Sequence, residues 1–150
     1  MDLTEQIQTL IEEAPPEGGM PAAMRMIAPT LGQLATEQLH YPQYYILQNL
    51  ASNWQLTTLQ HRQHPELEKT VVYAFAHLED ATRSSRSADL IAVPIPIIQL
   101  LFQLLALTPV DSLLFIEALG SLDQQIEITR LALQQLIEQN LRPSPPIHLA

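Results

Sequence analysis

The chain has 150 residues and a formal charge of −9, from 16 acids against 7 bases. That is one domain's length, enough to bury a core without staples, and its acidity argues against nucleic acid as a partner because it repels a phosphate backbone. With no cysteine, disulfides, zinc–thiolate sites, iron–sulfur clusters and a cysteine nucleophile are excluded.

Charged residues make up 15% of the chain and hydrophobic ones 47%. The shortfall of charge is filled by about 26 Leu and about 16 Gln, well above ordinary usage. Lys69 is the single lysine. A Gln-rich, lysine-poor surface sheds water more cheaply than a Lys/Glu surface, which favours contact with other proteins. Met1-Asp2-Leu3-Thr4-Glu5-Gln6 lacks the basic start and apolar run of a secretory signal, so the cytoplasm is the expected location.

The first predicted element is an amphipathic helix. Leu3, Ile7, Leu10, Ile11 and Ala14 recur at the spacing of one helical face, and Thr4 is the candidate N-cap. Pro15-Pro16-Glu17-Gly18-Gly19 ends it. A second helix starts near Pro21, meets Pro29, and continues over 30–39 with Leu31, Leu34, Ala35 and Leu39 inward.

From residue 43 the pattern changes. Tyr44-Tyr45-Ile46-Leu47, Trp54-Gln55-Leu56-Thr57-Thr58 and Val71-Val72-Tyr73-Ala74-Phe75 are aromatic and β-branched runs with period two. They predict a three-stranded antiparallel meander, with two helices starting at Pro42 and Pro65 as the competing reading. Residues 78–83 predict a short helix running into the polar loop Ser84-Ser85-Arg86-Ser87. These serines are candidates for phosphorylation.

Residues 90–110 carry no charge. The length matches a membrane span, but Pro94 and Pro96 leave only 97–107 as unbroken helix, Gln99 and Gln103 share one face, and acidic Asp89 and Asp111 flank the run. The reading is an extended Leu90–Pro96 segment followed by a buried helix. An exposed partner surface and membrane association are the alternatives. Thr108, Pro109 and Asp111 spell a helix start, giving a helix to Gly120 and a last one opening at Ser121. That helix turns Leu122, Ile126, Thr129, Leu133, Leu136 and Ile137 inward and Asp123, Glu127, Arg130, Gln134 and Glu138 outward. The Pro-rich stretch 143–150 reads as a flexible tail after a single domain over 1–142.

The middle of the chain resembles a family of small, uncharacterised cyanobacterial proteins. Tyr44-Tyr45-Ile46-Leu47-Gln48, Trp54, Thr57-Thr58-Leu59, the run 67–75 and Leu78-Glu79-Asp80-Ala81 carry the resemblance. It implies a cytoplasmic or thylakoid-side protein and supplies no catalytic or binding residue.

Chemistry-bearing motifs are few. His61, His64, Glu66 and Glu68 are the one dense set of possible ligands, but H-x-x-H before a proline lacks helical metal-site spacing. The expected reading is a solvated loop. His40 and His77 read as isolated structural histidines. Glu12-Glu13 and Glu79-Asp80 diverge on their helices and form no acid–base pair. No glycine-rich phosphate loop or nucleophile elbow occurs. The expectation is therefore an α+β fold, a small antiparallel meander packed with helices from both ends, or failing that an all-α fold. Its expected role is a non-catalytic adaptor, assembly or regulatory protein that binds a protein partner. No catalytic residue, metal or cofactor is expected. The candidate interface residues are Gln99, Phe102, Gln103, Leu104, Trp54, Tyr45 and Tyr73, with a homodimer as one form of assembly. The alternatives are a small-molecule or membrane-surface binder using 90–119, and an enzyme with a dispersed His/Glu site.

Overall fold

The computed structural model describes residues 3–12, 20–60, 63–64, 66–85, 87–121 and 124–141. Helix α1 (Leu3–Glu12) and helix α2 (Met20–Gln38) precede strands β1 (Gln43–Gln48), β2 (Thr57–Gln60) and β3 (Glu68–Phe75). Helix α3 (Leu78–Ser84), strand β4 (Ile91–Pro96) and helix α4 (Ile97–Ala106) follow, then β5 (Ser112–Ile116), β6 (Ile126–Thr129) and helix α5 (Arg130–Leu141). The fold is α+β. The predicted tail 143–150 and the predicted end of the first helix at Ala14 lie outside the described residues.

The sheet runs β4-β1-β3-β5-β6, with β2 also on β3. All pairings are antiparallel except β3 with β5. This corrects the meander. β1 and β2 both pair with β3, Ile46 opposite Ala74 and Thr57 opposite Val71. They act as one interrupted strand along β3, and the chain from 49 to 56 makes an excursion between its halves. A Gln48–Trp54 bridge and a Gln55 N–H bond to the Leu47 carbonyl (2.8 Å) close the excursion. At its tip the Asn49 side chain accepts from the N–H groups of Ala51 (2.9 Å) and Asn53 (3.0 Å), and Ser52 takes a left-handed φ of 66°. Asn and Ser tolerate such turns because their short polar side chains replace a backbone bond.

Alternation along β1 and β3 sorts their side chains onto two faces. Tyr44, Ile46, Val72 and Ala74 join the main core with Leu31, Leu34, Leu39, Leu113, Phe115, Leu133 and Ile137. Four helices, α1, α2, α4 and α5, cover that face. On the other face Leu47, Phe75 and Ile116 pack with Ala81 of α3. That single seven-residue helix leans on β1, β3 and β4.

The uncharged run 90–110 divides as the prolines dictate. Its first third is edge strand β4, where Pro94 and Pro96 lack an N–H to offer an intruding strand, and the rest is α4. Ile97, Ile98, Leu100, Leu101 and Leu104 of α4 are fully buried, each worth about 1.5–3 kcal/mol of burial. Among the described residues no helix is long and apolar enough to cross a membrane. Gln6 of α1, itself buried, anchors the start of α4. Its amide NH₂ donates to the Pro42 carbonyl (2.7 Å) and its carbonyl accepts from the Ile98 N–H (2.9 Å), which Pro96 at the N-cap cannot satisfy by a side chain.

Two expected helices are corrected after residue 108. Residues 112–116 form strand β5, buried at every position between β3 and β6. A strand buried on both faces loses its alternation, so Leu113-Leu114-Phe115-Ile116 carries no period of two. The apparent helix start serves the strand instead. The Asp111 carboxylate accepts from the Thr70 N–H (2.8 Å), and the Asp111 N–H donates to the Thr70 carbonyl (2.7 Å). The last helix begins at Arg130 rather than Ser121 because 126–129 pair with β5. Thr129, assigned to the helix interior, is its N-cap, accepting from the Ala132 N–H at 3.0 Å.

Candidate functional site

The densest polar constellation centres on Glu117, just past the end of β5. Its Oε2 accepts from the Tyr44 hydroxyl at 2.5 Å and from the His40 N–H at 2.8 Å, and its Oε1 lies 2.7 Å from His40 Nδ1. His77 Nε2 stands 3.0 Å from the Glu117 carbonyl, so that nitrogen carries the hydrogen. The Tyr41 ring meets Tyr44 and His77 edge-on, with centroids 6.0 and 5.7 Å apart. Close by, the carboxylate of buried Asp80 accepts from the Gly120 N–H at 3.2 Å, where φ is +78°.

Partial burial works to raise the Glu117 pKa, but hydrogen bonds from Tyr44 and His40 outweigh it and hold the carboxyl below its ordinary range. Tyr44 moves the opposite way, raised by burial and then by the bond and negative charge of Glu117. An exposed imidazole backed by a carboxylate is half of an acid–base dyad. Tyr44 is fully buried, and His40 lines neither of the two cavities described below. The cluster is a clasp joining the end of α2, the start of β1, the start of α3 and the end of β5. His40 and His77, read as isolated, meet here because the fold brings residues 77 and 40 positions apart together.

The described members of the possible ligand set His61, His64, Glu66 and Glu68 form no shared site. His64 and Glu66 lie 3.4 Å apart with both side chains largely in solvent, Glu68 binds Gln60 at 2.9 Å, and His61 lies outside the described residues. Among the described residues no group of three His, Asp or Glu could hold a metal.

The seven candidate interface residues fall into four places. Trp54, Phe102 and Gln103 come together beside the C-terminal end of α4. With Ser52, Asn53, Leu56, Ala106, Leu107, Pro109 and Val110 they line a surface cavity of about 390 Å³. Among the described residues no lining residue is charged, Trp54 and Phe102 are half-buried, and Leu56 is 48% exposed. Gln99 is exposed on α4. Leu104 is corrected: it is fully buried, on the α4 face turned to the core, and offers nothing to a partner. Tyr45 and Tyr73 lie on the opposite sheet face beside α3.

A second cavity, about 380 Å³, opens on that face. Sequence reasoning missed it because its wall comes from β1, the excursion, β2, β3, α3, β5 and the segment before β6. Leu47, Tyr73, Phe75 and Ile116 supply its apolar part, and Gln55, Thr57, Arg83, Ser84, Ser85 and Gln125 its polar part. Comparison with protein-family models, curated proteins and solved structures finds no match.

Proposed function

We propose that the chain is a cytoplasmic, non-catalytic adaptor that docks an apolar anchor of a protein partner in the cavity between Trp54 and Phe102. The observation that carries this reading is the neutrality of that cavity: in a chain of charge −9, ten lining residues include no acid and no base. Charged residues are depleted at the centres of protein interfaces, and Trp is prominent among the side chains that dominate binding energy. Asn53 and Gln103 add hydrogen-bonding amides at the wall, so the partner offers an apolar side chain flanked by backbone or polar groups.

Trp54 is held for this role. The excursion that bears it is closed at its base by the Gln48–Trp54 bridge and braced at its tip by Asn49, so little ordering entropy is spent on binding. Half of α4 and all of β5 are core, which favours a docking site at the end of α4 over a small-molecule or membrane surface that uses 90–119 as a whole.

A benzophenone photo-crosslinker installed at Leu56 tests the proposal in the native host. The expected product is one discrete adduct with a protein partner, abolished by Trp54→Ala and absent when the crosslinker is placed at Tyr45. An adduct of twice the chain's own mass would make the occupant a second copy. Adducts insensitive to Trp54→Ala would reject the site.

A further inference from the structure

We propose that the cavity on the α3 side of the sheet binds a small aryl carboxylate, with the aryl body on the apolar floor and the carboxylate at Arg83. The floor and the head of the site are physically distinct. Leu47, Phe75 and Ile116 are nearly fully buried at the bottom. The Tyr73 and Phe75 rings lie 6.2 Å apart and inclined by 26°, giving a flat wall against which a third ring can stack. About 380 Å³ suits a ligand of one or two rings.

The charge of the lining selects the head group. The chain has 16 acids and 7 bases, yet among the described residues Arg83 is the one charged residue in this wall. Among the described residues no acid pairs with it. An acidic protein that presents a lone guanidinium over an apolar floor is complementary to an anion with an apolar body. A guanidinium matches a carboxylate by two parallel hydrogen bonds. Thr57, Ser84 and Gln55 stand in the same wall and can donate to the second oxygen. The site is separate from the docking cavity. Trp54 packs against the four-helix core, while its neighbour Gln55 lines the other face.

The probe is 1-naphthoate, with neutral 1-naphthalenemethanol as its uncharged counterpart, followed by calorimetry and by amide chemical shifts. Saturable naphthoate binding is expected with Kd on the order of 100 µM, with shift changes at Leu47, Tyr73 and Ile116. Arg83→Gln is expected to weaken naphthoate about tenfold and leave naphthalenemethanol unchanged. Arg83 is exposed, so the variant folds, and circular dichroism checks this. Tyr73→Ala is expected to weaken both probes. Absence of saturation at millimolar naphthoate would overturn the proposal, as would binding indifferent to Arg83→Gln or shifts confined to the Trp54 cavity.

Discussion

The Tyr44 hydroxyl and the Glu117 carboxylate, 73 residues apart in sequence, meet at 2.5 Å and tie β1 to the end of β5, the strand that runs parallel to β3. Tyr44 has no access to water, and its ring packs edge-on against Phe115 with centroids 4.8 Å apart. Tyr44→Phe keeps the ring and removes the donor. A hydrogen bond to a charged group contributes about 1.5–3 kcal/mol, and chemical denaturation of the variant is expected to show a loss in that range. An unchanged midpoint would mean that the clasp contributes nothing to stability.

The clasp also sets a pH dependence. Glu117 is more acidic in the folded chain than in the unfolded one. Its stabilisation is complete above the unfolded carboxyl pKa, about 4.3, and is lost as pH falls through the lower folded value. Wild type should therefore lose stability on acidification through and below pH ~4 more steeply than Glu117→Gln. Denaturant midpoints at a series of pH values check this, and parallel curves for the two proteins would refute it.

Gln6 links three elements through one amide. Gln6→Leu keeps the bulk but leaves the Pro42 carbonyl and the Ile98 N–H without these partners. The Pro42 carbonyl keeps the Ile97 N–H at 3.0 Å, so the Ile98 N–H is the buried group left unsatisfied, and a loss of about 1–3 kcal/mol is expected by chemical denaturation. Gln6→Glu, which keeps only acceptors, is expected to destabilise as well. A neutral Gln6→Leu would show that α4 does not depend on this anchor.

The Lys69–Glu127 pair gives the contrasting case. Both side chains are about two-fifths exposed, and exposed pairs contribute about 0–1 kcal/mol. Lys69→Gln is expected to leave stability within that range. Ser112 is fully buried and donates to the same Glu127 carboxylate at 2.7 Å, so Ser112→Val is expected to matter more.

Local signals were legible where burial was one-sided. β1 and β3 alternate, and their residues face the two sides as period two requires. Pro94 and Pro96 divided strand from helix within 90–110. The signal failed where burial was complete or partners were distant. Leu113–Ile116 has no alternation because both faces are covered, and Asp111 resembles a helix first-turn acid while its carboxylate serves Thr70. The β1–β2 relationship was misread because composition marks strands without naming their partner. Trp54, Phe102 and Gln103 were chosen from the sequence and do share a cavity. The clasp at Glu117 and the Arg83 cavity were invisible, since each joins residues that only the tertiary fold brings together.

The proposed docking surface is tested most directly by titrating the partner that crosslinking identifies, purified free of adduct, against wild type, Trp54→Ala and Tyr73→Ala in a calorimeter. Trp54→Ala is expected to weaken binding roughly 30-fold, as removal of an interface anchor does, while Tyr73→Ala on the far sheet face stays within about twofold of wild type. Equal affinities for wild type and Trp54→Ala, or a loss confined to Tyr73→Ala, would contradict it.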